Sequence, residues 1–130
     1  EEQKVKNAIK QLDLQDDVIM IGRKSNPYPY IAIADLLVHP SLVESQGITL
    51  LESMVLKTPV IAVASQGPQE FIKSGVNGYL VENDAEKIAK KIEMLYTNTS
   101  LRLQITENAV EDVQRFESKE IMEKIQEVLE

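Results

Sequence analysis

LLVHPSLVESQGITLLESMVLKTPVIA, residues 36–62, is the stretch that decides the fold of this chain. An apolar run rich in leucine and valine, Leu36–Val38, opens it, and a second apolar run, Val60–Val63, closes it. Between them lie a turn-prone segment at residues 40–47 and a helical segment, Ile48–Lys57. The order strand, loop, helix, strand predicts a parallel βαβ unit.

The junction between this loop and this helix is the candidate ligand site. In a parallel sheet such a junction lies at the carboxyl ends of the strands, where α/β folds bind their ligands. A helix amino terminus there offers free N–H groups and a partial positive charge, which suit a phosphate group. We therefore expect the start of the Ile48–Lys57 helix to face a ligand.

Two glutamates, Glu44 and Glu52, lie at the two ends of the junction. On one continuous helix this spacing would separate their carboxylates by about 12 Å, too far to share a proton. If Glu44 instead lies in a loop that folds back over the helix start, both can flank one ligand, and Glu52 can accept hydrogen bonds from a vicinal diol such as a ribose. The spacing alone favours a plainer interpretation, in which Glu52 complements the helix dipole and Glu44 is a surface residue.

Composition excludes several classes of protein. The chain has 130 residues, 43% of them hydrophobic, which fits one domain with a real core. It has no cysteine, so disulfides and thiolate zinc sites are excluded, and its net charge of −7 argues against a broad nucleic-acid surface. No apolar run is long enough to span a bilayer. The chain opens with Glu-Glu instead of Met, so we expect it to be a piece of a longer protein.

The rest of the chain predicts further helices and strands around the central unit. Apolar residues recur at helical spacing in residues 1–12, and Asn26-Pro27 starts a short helix. Continuous apolar runs predict strands at Val18–Ile21 and Tyr79–Val81. The remaining predicted helices are Pro68–Lys73, Ala85–Tyr96 capped by Asp84, one capped by Ser100 that carries Leu101, Ile105, Ala109 and Val113, and a last one capped by Ser118. These elements predict an α/β fold with a mostly parallel sheet of about four strands.

Residues 34–62, ADLLVHPSLVESQGITLLESMVLKTPVIA, resemble the pattern ADVFVLPSxxEGFGLxxLEAMAxGxPVIA of retaining GT-B glycosyltransferases with the E-x7-E motif, a family that includes capsule and lipopolysaccharide enzymes. The similarity continues in NPYPYI (26–31), GPQE (67–70) and SGVNGYLV (74–81), and covers roughly residues 1–130. It implies a Rossmann-like three-layer α/β/α domain, the carboxyl-terminal, nucleotide-sugar-binding part of a GT-B fold. The acceptor-binding amino-terminal domain and the first strands of this domain would then precede residue 1.

The resemblance also implies roles for individual residues. Glu52 matches the second motif glutamate, which binds the ribose hydroxyls of the donor nucleotide. Glu44 matches the first, a catalytic residue that lies beside the donor sugar and stabilises positive charge as the leaving group departs. The other expected donor-binding positions are the loop and helix start whose amides face the sugar and diphosphate (Gln46, Gly47, Ile48 and Thr49) and the loop that borders the nucleobase (Gly22, Arg23 and Lys24).

The implied activity is transfer of a sugar from a nucleotide-diphosphate-sugar donor, with a UDP-sugar expected, to an acceptor with retained anomeric configuration. The pathway would be cell-surface polysaccharide biosynthesis. We expect no metal and no further cofactor, a glycan or lipid-linked acceptor bound through the preceding domain, and no nucleic acid. The expected location is the cytoplasm, with peripheral contact to the inner face of the membrane, and the chain alone is expected to be inactive.

This sequence departs from the family pattern at several positions. Ser45-Gln46 replaces Gly-Phe after the first glutamate, and Lys57 replaces the glycine before Thr58, where a cation can complement the helix dipole. The Arg and Lys pair that neutralises the diphosphate in relatives would lie upstream of Glu1. The first departure removes the glycine and the aromatic ring of this loop, which bear on its stiffness and its packing.

Some assignments stay open on the residues alone. His39, the only histidine, follows a predicted strand and either contacts the donor or bonds the backbone. Tyr28 and Tyr30 either stack on a base or pack under a loop. Two other functions fit the same fold: a non-catalytic nucleotide-binding module of flavodoxin-like shape, and a nucleotide-sugar epimerase, which shares the GT-B shape and needs no acceptor.

Overall fold

A parallel three-stranded sheet lies at the centre of the chain in its computed structural model, which describes residues 1–43, 47–115, 123 and 127. The strands are β1 (Leu37–His39), β2 (Val60–Val63) and β3 (Tyr79–Val81), in the order β1-β2-β3. The predicted strands at both ends of the central unit are therefore confirmed, as is the predicted strand at residues 79–81. Within the described part of the chain the sheet has three strands, not about four.

Six helices surround this sheet in the described residues. The helix between β1 and β2 is the crossover of the predicted βαβ unit, which the structure confirms. The bounds are α1 Glu2–Gln11, α2 Tyr28–Ile33, α3 Ile48–Val55, α4 Gln66–Phe71, α5 Ala85–Tyr96 and α6 Thr99–Arg115. None of the helices in these ranges is long and apolar enough to cross a membrane.

The alternation of side chains along β2 creates two apolar layers. Val60 and Ala62 belong to one buried cluster, together with Leu50 and Met54 of α3. Ile61 and Val63 belong to a second buried cluster, which includes residues of α5 and the first half of α6. Helices therefore pack on both faces of the sheet, and the three-layer α/β/α arrangement is confirmed.

Helix α3 ends in a left-handed residue that lacks the usual glycine. The amide of Thr58 donates to the carbonyl of Ser53 (2.9 Å), and the amide of Lys57 donates to the carbonyl of Met54 (3.1 Å). This pair of bonds is the Schellman motif, which requires a positive φ at the residue after the cap. Lys57 has φ +64°, so the helix stops at Val55, earlier than the predicted end at residue 57.

The end of α3 is fastened to α2 by buried hydroxyl groups. The Ser53 hydroxyl donates to the carbonyl of Thr58 (2.9 Å), and the Thr58 hydroxyl donates to the carbonyl of Ile31 in α2 (2.7 Å). Both side chains are buried, so each bond forms in a medium where an unpaired hydroxyl would be costly. The carboxyl-terminal half of α2 is therefore held against the end of α3.

The predicted strand Val18–Ile21 is wrong, because this segment forms no strand. All four of its side chains are exposed, with Ile19 82% accessible. A strand forms only when its backbone groups pair with a neighbour, and the sheet pairs β1, β2 and β3 with one another. An apolar run alone does not specify that partner.

One predicted helix cap is confirmed and one is wrong. The Asp84 carboxylate accepts from the amides of Glu86 (2.9 Å) and Lys87 (3.2 Å) at the start of α5, as predicted. At α6 the cap is Asn98, whose side chain accepts from the amide of Leu101 (3.0 Å), and not Ser100. The predicted helix capped by Ser118 lies outside the described residues.

Replacing Lys57 by glycine should stabilise the chain. A glycine relieves the left-handed backbone strain, so Lys57→Gly is expected to raise the free energy of unfolding by about 1 kcal/mol in urea denaturation. Lys57→Ala is the matched control, because it removes the same charge and keeps the Cβ. An equal gain in both variants would show that the charge of Lys57 matters and its backbone conformation does not.

Candidate functional site

The start of α3 lies at the carboxyl ends of the strands, where the sequence places the ligand site. β1 ends at His39, and the chain re-enters the described region at Gly47, the residue before α3. His39 is partly buried at this edge of the sheet. Glu44 and Gln46 lie outside the described residues, so their predicted roles stay predictions.

Glycine is strongly favoured at position 47. Its φ is +68°, and a Cβ there would lie 2.9 Å from Cζ of the Phe71 ring. Phe71 is the last residue of α4, which follows β2. The beginning of α3 is therefore fixed against the segment that leaves the next strand.

The first turn of α3 presents backbone N–H groups with no carboxylate among its side chains. The amides of Leu50 and Leu51 donate to the carbonyl of Gly47 (3.0 and 3.2 Å), so the intrahelical bonds begin there. The amides of Ile48 and Thr49 precede the first intrahelical donor, and both residues are exposed. This helix start carries no acidic residue in its first turn, which leaves the positive end of its dipole available to an anion.

Glu52 lies in the second turn of α3 and is partly buried. The hydroxyl of Tyr28 donates to its Oε1 atom at 3.0 Å. Tyr28 is 6% accessible, and its burial, followed by its hydrogen bond and charge interaction with Glu52, raises the pKa of the phenol above its ordinary value. Tyr28 thus stays a neutral donor, and Glu52 is a held carboxylate instead of a freely rotating surface acid.

The predicted nucleobase loop contacts helix α2 through Lys24. Gly22, Arg23 and Lys24 are exposed, and Gly22 has φ +70°. The ammonium of Lys24 lies 5.9 Å from the centre of the Tyr30 ring, within the range of a cation–π contact. Tyr30 and Tyr28 are two positions apart on α2, so this helix contacts both the loop and the glutamate.

Ser65 is a residue of this edge to which the sequence analysis assigned no role. It follows β2 by two positions and precedes α4, and its hydroxyl oxygen is buried without a hydrogen bond to any described residue. An unsatisfied buried hydroxyl costs about 1–3 kcal/mol, so such a group calls for a partner such as water or a ligand. Its position just after a parallel strand is the sequence signal that could have identified Ser65 as a site residue.

Among the described residues, no group of three His, Asp or Glu side chains could hold a metal ion.

A parallel sheet between two helical layers, with a helix amino terminus at the carboxyl ends of its strands, defines the class of doubly wound α/β domains, which bind their ligands at that edge. Sequence comparison identifies the family within that class. The model of the family described as "Glycosyl transferases group 1" matches residues 1–112. The chain therefore belongs to the glycosyl transferases group 1 family.

Two curated relatives come from bacteria. The chain is 32% identical over 124 residues to a poly(ribitol-phosphate) alpha-N-acetylglucosaminyltransferase of Staphylococcus aureus, covering 93% of this chain and 25% of the relative. It is 36% identical over 101 residues to the lipopolysaccharide core biosynthesis glycosyltransferase LpsE of Rhizobium meliloti, covering 77% of this chain and 30% of the relative. The chain thus spans less than a third of the length of these two proteins.

A solved structure of similar fold contains a nucleotide. Anabaena Alr3699/HepE in complex with UDP superposes with a TM-score of 0.85 at 28% identity, over 98% of this chain and 36% of that one. The same protein in complex with UDP-glucose gives a TM-score of 0.84. The described fold of this chain therefore matches 36% of a larger solved chain.

Removing the Tyr28 hydroxyl should reveal a pH-dependent contribution to stability. At neutral pH, Tyr28→Phe is expected to lower the free energy of unfolding by about 1 kcal/mol, because Glu52 loses its donor. The raised pKa of Tyr28 means that the unfolded chain loses this proton first as the pH rises above 10.0. The advantage of the wild type over Tyr28→Phe should therefore shrink above that pH in urea denaturation. A constant difference between pH 8 and pH 11, roughly two units below and one unit above the ordinary tyrosine pKa of 10.0, would contradict this.

Proposed function

We propose that this chain is the donor-binding part of a retaining glycosyltransferase that transfers a sugar from a nucleotide-diphosphate sugar, with UDP as the expected nucleotide, to a glycan or lipid-linked acceptor. The observation that carries the proposal is the partly buried Glu52 carboxylate, held one turn behind a helix start that has no acidic residue in its first turn. In a chain of this family, that arrangement suits a ligand with a diol at one end and a diphosphate at the other.

The diol end of the ligand would bind Glu52. An ionised carboxylate offers about four lone-pair positions, and the Tyr28 hydroxyl uses one of them. The remaining positions can accept the two hydroxyls of a ribose in charge-assisted bonds. Gly22, Arg23 and Lys24 would border the base, as the resemblance to the family implies.

The diphosphate end would bind at the start of α3. Backbone amides of Gly47, Ile48 and Thr49, together with Gln46, would face the sugar and the phosphate oxygens. The helix dipole favours the negative charge that develops on the diphosphate as the glycosidic bond breaks. Glu44 would lie beside the donor sugar and stabilise the positive charge that develops on it. Electrostatic stabilisation of both charges would supply much of the rate.

The relatives support this donor and this pathway. Anabaena Alr3699/HepE has been crystallised with UDP and with UDP-glucose. The names of the two curated relatives describe an N-acetylglucosaminyltransferase that acts on poly(ribitol-phosphate) and an enzyme of lipopolysaccharide core biosynthesis. We infer from these names that the protein acts in the synthesis of a cell-surface polymer.

A nucleotide-sugar screen tests the donor. The melting temperature of the complete protein, as its gene encodes it, is measured in the presence of UDP-glucose, UDP-N-acetylglucosamine, GDP-mannose or ADP-glucose. A ligand at about 100 times its Kd should stabilise the native state by about 2.7 kcal/mol, which shifts the melting temperature by several degrees. We expect the largest shift with a UDP-sugar. If neither these donors nor their free nucleoside diphosphates shift it, the proposed function is wrong.

Variants of the two glutamates separate binding from chemistry. Glu52→Ala should raise the Kd of the donor by about 10- to 100-fold, because charge-assisted hydrogen bonds are lost. Glu44→Ala should lower kcat by about 100-fold with a smaller change in Kd, because its contribution is made as the bond breaks. Isothermal titration and initial rates measure both. Glu93→Ala, an exposed glutamate of α5, is the matched control, and the assignment fails if both site variants behave like it.

A further inference from the structure

The Tyr28 ring lies along one face of α3. Tyr28 and Ile31 form a buried cluster against which Val55 and Leu56 pack. Glu52, Val55 and Leu56 are three and four positions apart, so they share a face of the helix. The ring is therefore fixed over the last turn of α3, and its hydroxyl reaches the glutamate one turn earlier, at 3.0 Å.

The backbone that carries Tyr28 is also restrained. The side chain of Asn26 accepts from the Tyr28 amide at 3.2 Å, and prolines on both sides of Tyr28 fix their own φ angles. Further along α2, the Ile31 carbonyl accepts the buried bond from Thr58. Bonds at both ends of α2 thus hold this short helix in place. The position of the Tyr28 phenol therefore does not depend on Glu52.

We propose that Tyr28 is a positioning residue of the donor site, which fixes the orientation of the Glu52 carboxylate so that its remaining lone pairs face the two hydroxyls of the nucleotide ribose. The proposal rests on the proposed function, since it requires Glu52 to bind that diol. In the described residues, Oε1 of Glu52 is bonded by Tyr28 and no partner contacts Oε2. Oε2 therefore keeps its lone pairs for a diol.

A fixed carboxylate binds a diol more tightly than a mobile one. Ordering a glutamate side chain at the moment of binding costs rotamer entropy, and the Tyr28 bond removes that cost in advance. The effect of Tyr28 should therefore appear only for ligands whose ribose carries hydroxyls. A purely structural role would weaken all ligands alike.

The experiment pairs Tyr28→Phe with a probe that lacks the diol. Isothermal titration on the protein as encoded compares UDP with 2′,3′-dideoxyuridine diphosphate, or the corresponding pair for whichever nucleoside diphosphate the donor screen ranks first. Tyr28→Phe should raise the Kd of UDP by about tenfold, the loss of one hydrogen bond to a charged group. The Kd of the dideoxy probe should change by less than about twofold, within the spread of surface substitutions.

Two further variants complete the comparison. Tyr96→Phe makes the same chemical change at an exposed tyrosine of α5, 78% accessible, and should bind both probes like the wild type. Tyr28→Phe combined with Glu52→Ala should bind UDP no more weakly than Glu52→Ala alone, because the hydroxyl acts through the carboxylate. The double variant also avoids a partly buried carboxylate without its donor, so it tests the idea even if Tyr28→Phe folds poorly.

The outcomes distinguish this inference from the function on which it rests. If UDP binds and Glu52→Ala weakens it while Tyr28→Phe does not, the positioning role is wrong and the proposed function stands. Equal losses for UDP and the dideoxy probe in Tyr28→Phe, or additive losses in the double variant, also overturn the positioning role. If Glu52→Ala leaves the Kd of UDP unchanged, the proposed function itself is wrong.

Discussion

Burial of β2 on both faces is the constraint on which the rest of the structure depends. Its four residues are all buried, and alternate side chains belong to different apolar clusters. Each fully buried valine or isoleucine contributes about 1.5–3 kcal/mol of transfer free energy, so helices must cover both sides of the sheet. Once α3 covers one side as the crossover from β1, its amino terminus must lie at the carboxyl ends of the strands. The position of the candidate site follows from this packing.

The parts of the fold that were predictable from sequence are those that short stretches determine. The Asp84 cap depends on neighbours within a few positions and the βαβ unit on one continuous stretch, residues 36–62, and the structure confirms both. The strand predicted at Val18–Ile21 is wrong because pairing depends on distant chain segments. The cap of α6 is Asn98 and not Ser100 because both residue types cap well, and two positions of spacing do not separate them.

The candidate site shows the same division between local and distant information. Motif resemblance singles out Glu52, but its bond to Tyr28 joins residues 24 positions apart and depends on how α2 packs against α3. The sequence allowed two roles for Tyr28, stacking on a base or packing under a loop. In the structure Tyr28 packs in a buried cluster between α2 and α3, and its hydroxyl donates to Glu52. At Lys57 the family's glycine was a signal for a left-handed backbone, but the helix was predicted to run to residue 57, whereas α3 ends at Val55 and Lys57 has φ +64°.

The contact between Gly47 and the Phe71 ring has a consequence for how the family can diverge. This contact holds the start of α3, and the bonds that Lys57 and Thr58 donate hold its end. A family member that keeps these contacts keeps the helix in place. Substitutions elsewhere can then change the surface around the helix start while the helix itself does not move.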